Sequence, residues 1–304
     1  MQRPHRPRRA RLCSLLHRSE RGLWLLGLGQ PGGRSGRRHG PAAPRSGPPP
    51  SSRRRGGLIP RVAAVQFEPT RGPSERSLPR LVPLVAEAAV GSDLVVAPEM
   101  AATGYLFPDV AAARQVAEPP RGPTFAALAP IARRHGCWIV CGFAEDAGDV
   151  LYNSALLIDP RGELAAVYRK ILLFDPDHQW ACPGDAGVFV FDCAGMKASV
   201  GICMDLNNPY FTRWLGEAGI ELLAFPTNWL EQGTDVHAYW HQRLAGTPTV
   251  LVGANRYGVE DDTTFSGRSA VLDAERVWAT GPRRGDAVVR AVLSATAPGG
   301  PAAR

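Results

Sequence analysis

The chain has 304 residues, 44% of them apolar, enough to bury a full core as one large domain or two small ones. Its longest apolar run, Leu23 to Leu28, falls far short of the roughly 20 residues of a bilayer-spanning helix, so a transmembrane protein is excluded. The net charge of +7 hides an asymmetry: residues 1–57 hold 14 Arg against the single acid Glu20, a net +13, and the other 247 residues carry −6, which does not support a nucleic-acid surface on the fold.

The first segment, 1–57, has 18 Gly and Pro residues. A stretch so rich in those residues and in like charge cannot offset its ordering entropy by burial, and it is expected to be a disordered tail. Its Arg-rich, acid-poor composition is also that of a transit peptide. Gly27 to Gly32 matches the spacing of a dinucleotide loop, but no strand precedes it and Pro31 interrupts it, so the match is chance. Residues 58–304 are expected to form one folded domain.

Arg61 to Phe67 reads as a buried strand, and Leu78 to Val90 has apolar residues at helical spacing. Asp93 to Pro98 is a second strand, ending just before Glu99. Thr124 to His135 is a helix stopped by Gly136. Trp138 to Phe143, Leu151 to Ile158 and Leu164 to Leu173 read as strands, the last two joined by a turn at Asp159 to Gly162. In the first of these, Cys137 and Cys141 fall on one side and read as buried and reduced, which favours the cytoplasm. Strands follow at Val188 to Phe191 and Ala198 to Cys203, then a helix from Pro209 to Ala218. A strand at Glu221 to Phe225 and a helix from Asp235 to Leu244 come next. Val250 to Ala254, Ser269 to Asp273, Val277 to Ala279 and Val288 to Leu293 complete the strands. Strands interspersed with amphipathic helices make an α/β layered fold.

Three places can do chemistry. Glu99 follows a buried strand, where crevices form in α/β folds, and its small, apolar neighbours suit a partly desolvated carboxylate with a raised pKa. Lys170 is one of only two lysines beside 33 arginines. In a chain that uses Arg almost everywhere, a Lys inside an apolar strand points to a compact charge in a site; Lys197, the other, is expected to be exposed. Cys203 ends a strand shortly before a helix, whose N-terminal dipole would favour the thiolate.

Pro98-Glu99, Tyr168-Arg169-Lys170 and Gly201-Ile202-Cys203-Met204-Asp205, in that order, resemble the nitrilase superfamily of carbon–nitrogen hydrolases. Thr103-Gly104-Tyr105, Pro183-Gly184-Asp185, Pro226-Thr227-Asn228-Trp229, Ala254-Asn255-Arg256 and Phe265 to Ser269 agree with it. The resemblance implies a four-layer α-β-β-α sandwich that forms homo-oligomers and works without metal or organic cofactor. It further implies that Cys203 attacks an amide or nitrile carbon and that Glu99 is the general base. Lys170 and the Met204 backbone N–H would stabilise the oxyanion. A second family carboxylate is replaced by Asp177, one methylene shorter than Glu, and Leu172 stands where many members carry His. Tyr105, Asn228 and Trp229 are placed in the substrate pocket.

The expected activity is hydrolysis of a small-molecule amide to carboxylate and ammonia through a thioester, with neither nucleic acid nor membrane as partner. Asp205 to Tyr210 also resembles the corresponding segment of protein N-terminal asparagine/glutamine amidases, which makes an N-terminal residue an alternative substrate; a nitrile is another. A catalytically silent scaffold is the alternative of a different class. His237 and His241 have ligand spacing on one helix face, yet residue 238 is Ala where a metalloprotease helix needs Glu, so they are expected to pack or hydrogen-bond.

Overall fold

The structure, a computed structural model, describes residues 59–293. The segment 1–57 and its expected disorder lie outside the described residues.

In chain order the first sheet takes β1 (Arg61–Gln66), β2 (Leu94–Val96), β3 (Trp138–Asp146), β4 (Leu151–Ile158) and β5 (Leu164–Arg169). The second takes β6 (Phe191–Cys193), β7 (Met196–Val200), β8 (Leu222–Thr227) and β9 (Val250–Asn255). A separate hairpin, β10 (Tyr257–Glu260) with β11 (Thr263–Ser266), precedes β12 (Ala270–Leu272) and β13 (Val277–Thr280) of the second sheet. The last strand, β14 (Ala287–Val292), returns to the first sheet. The orders are β14-β1-β2-β3-β4-β5 and β13-β12-β9-β8-β7-β6. Each sheet has a parallel trio at its centre, β1-β2-β3 and β7-β8-β9, flanked by antiparallel strands.

The five α-helices among the described residues are α1 (Leu78–Ala89), α2 (Val110–Arg114), α3 (Pro123–His135), α4 (Pro209–Glu217) and α5 (Val236–Leu244). Side chains alternate across each strand, and this sorts the apolar residues into layers. Leu94, Val96, Leu222, Ala224, Val252 and Ala254 point between the sheets. Val95 and Ile139 meet Leu81 and Val85 of α1 and Leu128 of α3 outside the first sheet. Leu223, Phe225 and Leu251 meet Leu215 of α4 and Trp240 of α5 outside the second. Helices, sheet, sheet, helices: the chain is a four-layer α-β-β-α sandwich, the expected fold.

Candidate active site

Glu99, Lys170, Cys203 and Asn228 each lie one to three residues beyond the C-terminal end of a strand: β2, β5, β7 and β8. Strand ends of this kind are where α/β sheets open crevices. Glu99 reaches its place because Gly142 of β3 lacks a side chain; a Cβ there would stand 2.5 Å from the Glu99 Cα. The turn is held on both sides, with Gly142 N–H donating to the Pro98 carbonyl (3.1 Å) and Ala101 N–H to that of Gly142 (3.0 Å). Met100 beside it has φ of 51°, a left-handed conformation costly for a non-glycine residue.

The Glu99 carboxylate is fully buried. Its Oε1 accepts from Lys170 Nζ (2.7 Å) and Asn153 Nδ2 (2.7 Å), whereas its Oε2 is buried without a partner. Burial raises its pKa, against the pull of the Lys170 charge, as the sequence suggests. Lys170 Nζ donates also to Asp177 Oδ2 (2.6 Å), and Asn153 Nδ2 lies 3.3 Å from Asp177 Oδ1. Asp177 is held in a one-turn helix, Asp175–Gln179. Burial lowers the Lys170 pKa, but Asp177 and Glu99 raise it further, and the net shift is upward. The site therefore favours the ammonium form.

Lys170 does not lie within the strand, as the apolar run suggests, but one residue past its end. Asp205 explains the difference. Its Oδ1 accepts the N–H groups of Ile171 (3.0 Å) and Leu172 (2.8 Å), which would otherwise continue the ladder. Its Oδ2 accepts from Tyr168 Oη (2.8 Å) and Ile202 N–H (2.9 Å). One buried carboxylate thus ties the chain on both sides of Lys170 to the residue before Cys203.

Cys203 opens a one-turn helix, Cys203–Asn207, with φ of 43°. Burial, then the Glu99 charge, pushes its thiol up to about 12, while Lys170, the Thr227 hydroxyl and the Asn228 N–H favour the thiolate. α4, whose N-terminal dipole is expected to favour the thiolate, starts only at Pro209, and the helix that Cys203 opens is a single turn. The Met204 N–H belongs to the first turn, whose donors have no intrahelical acceptor.

Tyr105 is buried, its ring centroid 5.8 Å from Lys170 Nζ. Its loop hangs on Glu260, which accepts from the N–H groups of Tyr105 (3.0 Å) and Leu106 (2.6 Å) and pairs with buried Arg256 (2.6 Å). Asn228 is 2% exposed, and neither Oδ1 nor Nδ2 has a partner. Trp229 donates its N–H to Asn255 Oδ1 (2.8 Å), and its ring packs on Tyr239 and Trp240 of α5. Lys197 is exposed, as expected.

Asn153 and Asp205 are the site residues that sequence reasoning missed as actors. The available signals were an amide side chain, Asn153, inside the strand run 151–158 and an acid two residues after the cysteine. His237 and His241 contact the carbonyls of Arg268 (2.8 Å) and Asp273 (2.6 Å). Among the described residues no cluster of three or more His, Cys, Asp or Glu is arranged to hold a metal.

The carbon–nitrogen hydrolase family matches residues 61–291. A nitrilase of Pyrococcus abyssi is 36% identical over 217 residues, covering 69% of this chain and 80% of that protein. A protein N-terminal amidase of Saccharomyces cerevisiae is 31% identical over 209 residues, 56% of this chain and 45% of that protein. Among solved structures, an amidase of the nitrilase superfamily from Nesterenkonia superposes with a TM-score of 0.70 at 23% identity, over 78% of this chain and 92% of that one; at that identity the likeness is one of fold.

Proposed function

We propose that this chain, which belongs to the carbon–nitrogen hydrolase family, hydrolyses an amide to a carboxylate and ammonia through a thioester on Cys203. That it is an enzyme acting on non-peptide carbon–nitrogen bonds follows from the family; the roles of individual residues are our reading. The observation that carries it is a buried ammonium held between two carboxylates at 2.7 and 2.6 Å, with Cys203 in the same field and one Glu99 oxygen unpaired.

Glu99 Oε2 takes the thiol proton as sulfur attacks the amide carbon. The pair of electrons leaving the C=O bond forms an oxyanion, which Lys170 Nζ and the Met204 N–H stabilise. Glu99 returns the proton to the amide nitrogen, the C–N bond breaks and ammonia leaves, giving the thioester. Glu99 then takes a proton from water as its oxygen attacks, and the collapsing intermediate expels the sulfur, which regains the proton. Asp177 positions Lys170, and Tyr105, Asn228 and Trp229 belong with the pocket. Burial raises the thiol pKa, which couples transfer of its proton to Glu99 with attack of the sulfur on the carbon.

A second reading, an N-terminal asparagine/glutamine amidase, is favoured by the segment Asp205 to Tyr210 and by the yeast relative of that name. Homo-oligomerisation belongs to the same proposal. So does a cytoplasmic setting, which suits the free, buried thiols of Cys137, Cys141 and Cys193. The test is ammonia release from a panel of amides, nitriles and Asn- or Gln-leading peptides, with Cys203→Ala as control. The variant is expected to lose at least about 10³-fold in kcat while melting like the parent. Near-full activity of Cys203→Ala would end the reading.

A further inference from the structure

The turn that carries the sulfur is strained and has to be held. Cys203 has φ of 43°, and a non-glycine residue keeps such a conformation only where its surroundings over-determine it. On the strand side Asp205 supplies the hold, accepting the Ile202 N–H (2.9 Å). At the far end the one-turn helix Cys203–Asn207 leaves carbonyls without an intrahelical donor, and α5 reaches across to that end. Tyr239 Oη donates to Asn207 Oδ1 (2.8 Å), and Arg243 Nε donates to the Leu206 carbonyl (2.8 Å). Residues 239 and 243 stand one turn apart, on the same face of the helix.

Asn207 passes the contact inward. Its Nδ2 donates to Met204 Sδ (3.2 Å), and the Met204 N–H is the backbone donor assigned above to the oxyanion. The Tyr239 ring meanwhile lies 5.3 Å from that of Trp229, whose neighbour Asn228 has its N–H against the sulfur. One side chain therefore braces both stretches of chain beside Cys203: 203–207 by its hydroxyl and 228–229 by its ring. α5 is itself anchored. The Asp235 side chain caps the N–H groups of His237 (2.8 Å) and Ala238 (3.1 Å), and Trp240 is fully buried against Phe225. Packing alone does not call for a hydroxyl at 239. The residue is only half-buried, and a phenylalanine ring would cover Trp229 equally well.

Resting on the amidase reading above, we infer that Tyr239, acting through Asn207, is a positioning residue for the reaction, with Arg243 as the second anchor of the same turn. Together they keep the Cys203 sulfur and the Met204 N–H aimed at one bound carbonyl group. Neither touches the reacting atoms. Without the two bonds the strained turn can relax, and a displacement of about 1 Å at a reacting group costs on the order of 10² in rate.

The full chain can be tested with three substitutions. Tyr239→Phe removes the hydroxyl and keeps the ring on Trp229; Arg243→Met removes the donor and keeps an apolar stem. Each is expected to lower kcat for ammonia release about 10-fold, and the pair together about 10²-fold, with KM within about twofold of the parent. Asn207→Leu breaks the Tyr239 bond from its other end, so adding Tyr239→Phe to it should change kcat by less than about twofold. Parent-like kcat in Tyr239→Phe would overturn the inference. So would a loss matched by the fraction unfolded in a thermal melt, since a merely structural role leaves the kcat of the folded molecules unchanged. The pH profile of Cys203 alkylation by iodoacetamide, located by peptide mass spectrometry, reads the placement of the sulfur without turnover. If the parent releases no ammonia from any amide, a profile displaced in Tyr239→Phe still supports the brace and removes the amidase reading, and an unchanged profile overturns the brace as well. Ammonia release that Tyr239→Phe leaves intact would keep the amidase reading and remove the brace.

Discussion

Lys170 is the residue on which the stability of the site, and with it the proposed chemistry, depends. It lies between two carboxylates in a region closed to water, and removing one partner of a buried ion pair leaves an uncompensated charge, at a cost of about 3–5 kcal/mol. Lys170→Met is therefore expected to lose that much unfolding free energy at pH 7. Glu99, already raised by burial, would lose the cation that lowers it. A carboxyl group whose folded-state pKa is raised destabilises the fold above that pKa and ceases to do so as pH falls toward the unfolded value. The deficit should thus shrink at pH 5, and urea unfolding at the two pH values measures it; a deficit equal at both would mean that the loss is one of packing. Lys170 is legible because the chain otherwise uses Arg almost throughout, and Glu99 because small apolar residues surround it. Asp205 is not legible as an organiser, since its partners sit at 168, 171, 172 and 202, and no local window joins them.

At the scale of elements, strand ends matter more than strands. The cores of β1, β4, β8 and β9 follow from their apolar runs, and α1, α3 and α5 from their periodicity, because burial dictates both. Elements without a buried run escape such reading. No apolar run marks an element over 257–266, where β10 and β11 pair around Asp261 in a left-handed turn. None marks α2 either, five residues capped by the Asp109 side chain on Ala112 N–H (2.8 Å). Gly142 is the clearest case of an element shaped for its neighbour: β3 gives up a side chain so that the Glu99 turn can lie on its backbone. Gly142→Ala would force the two backbones apart. Overpacking of this kind costs about 1–3 kcal/mol, and a shift of about 1 Å at a catalytic group can cost on the order of 10² in rate. The variant should melt lower and lose far more kcat than KM. Steady-state kinetics beside a thermal melt distinguish this from simple unfolding, which lowers the active fraction and leaves the kcat of the folded molecules unchanged.

Over the whole molecule, the layered architecture can be read from alternating strands and amphipathic helices, but the sheet order cannot. Val288 to Leu293 reads as a strand, yet nothing local says that it crosses more than 200 residues of sequence to lie against β1. Arg61 pairs with Val292, Gln66 pairs with Ala287, and Leu293 N–H donates to the Pro60 carbonyl (2.8 Å). β14 thereby covers the edge of β1 and sends Val289, Ala291 and Leu293 into the layer between the sheets, the same layer that holds Cys203. Burying a large apolar side chain is worth about 1.5–3 kcal/mol. Two such residues, an alanine and a lost strand ladder therefore amount to about 5 kcal/mol or more, against a total stability of about 5–15 kcal/mol for a typical domain. Ending the chain at Asp286 should accordingly abolish cooperative urea unfolding, or leave it at a midpoint too low to measure at 37 °C. Leu293→Ala in the full chain supplies the graded version, since it keeps β14 and loses about 2–5 kcal/mol. If the truncated chain unfolds cooperatively near the parent midpoint, β14 is an accessory edge, and the closure of the sandwich lies in the inner strands alone.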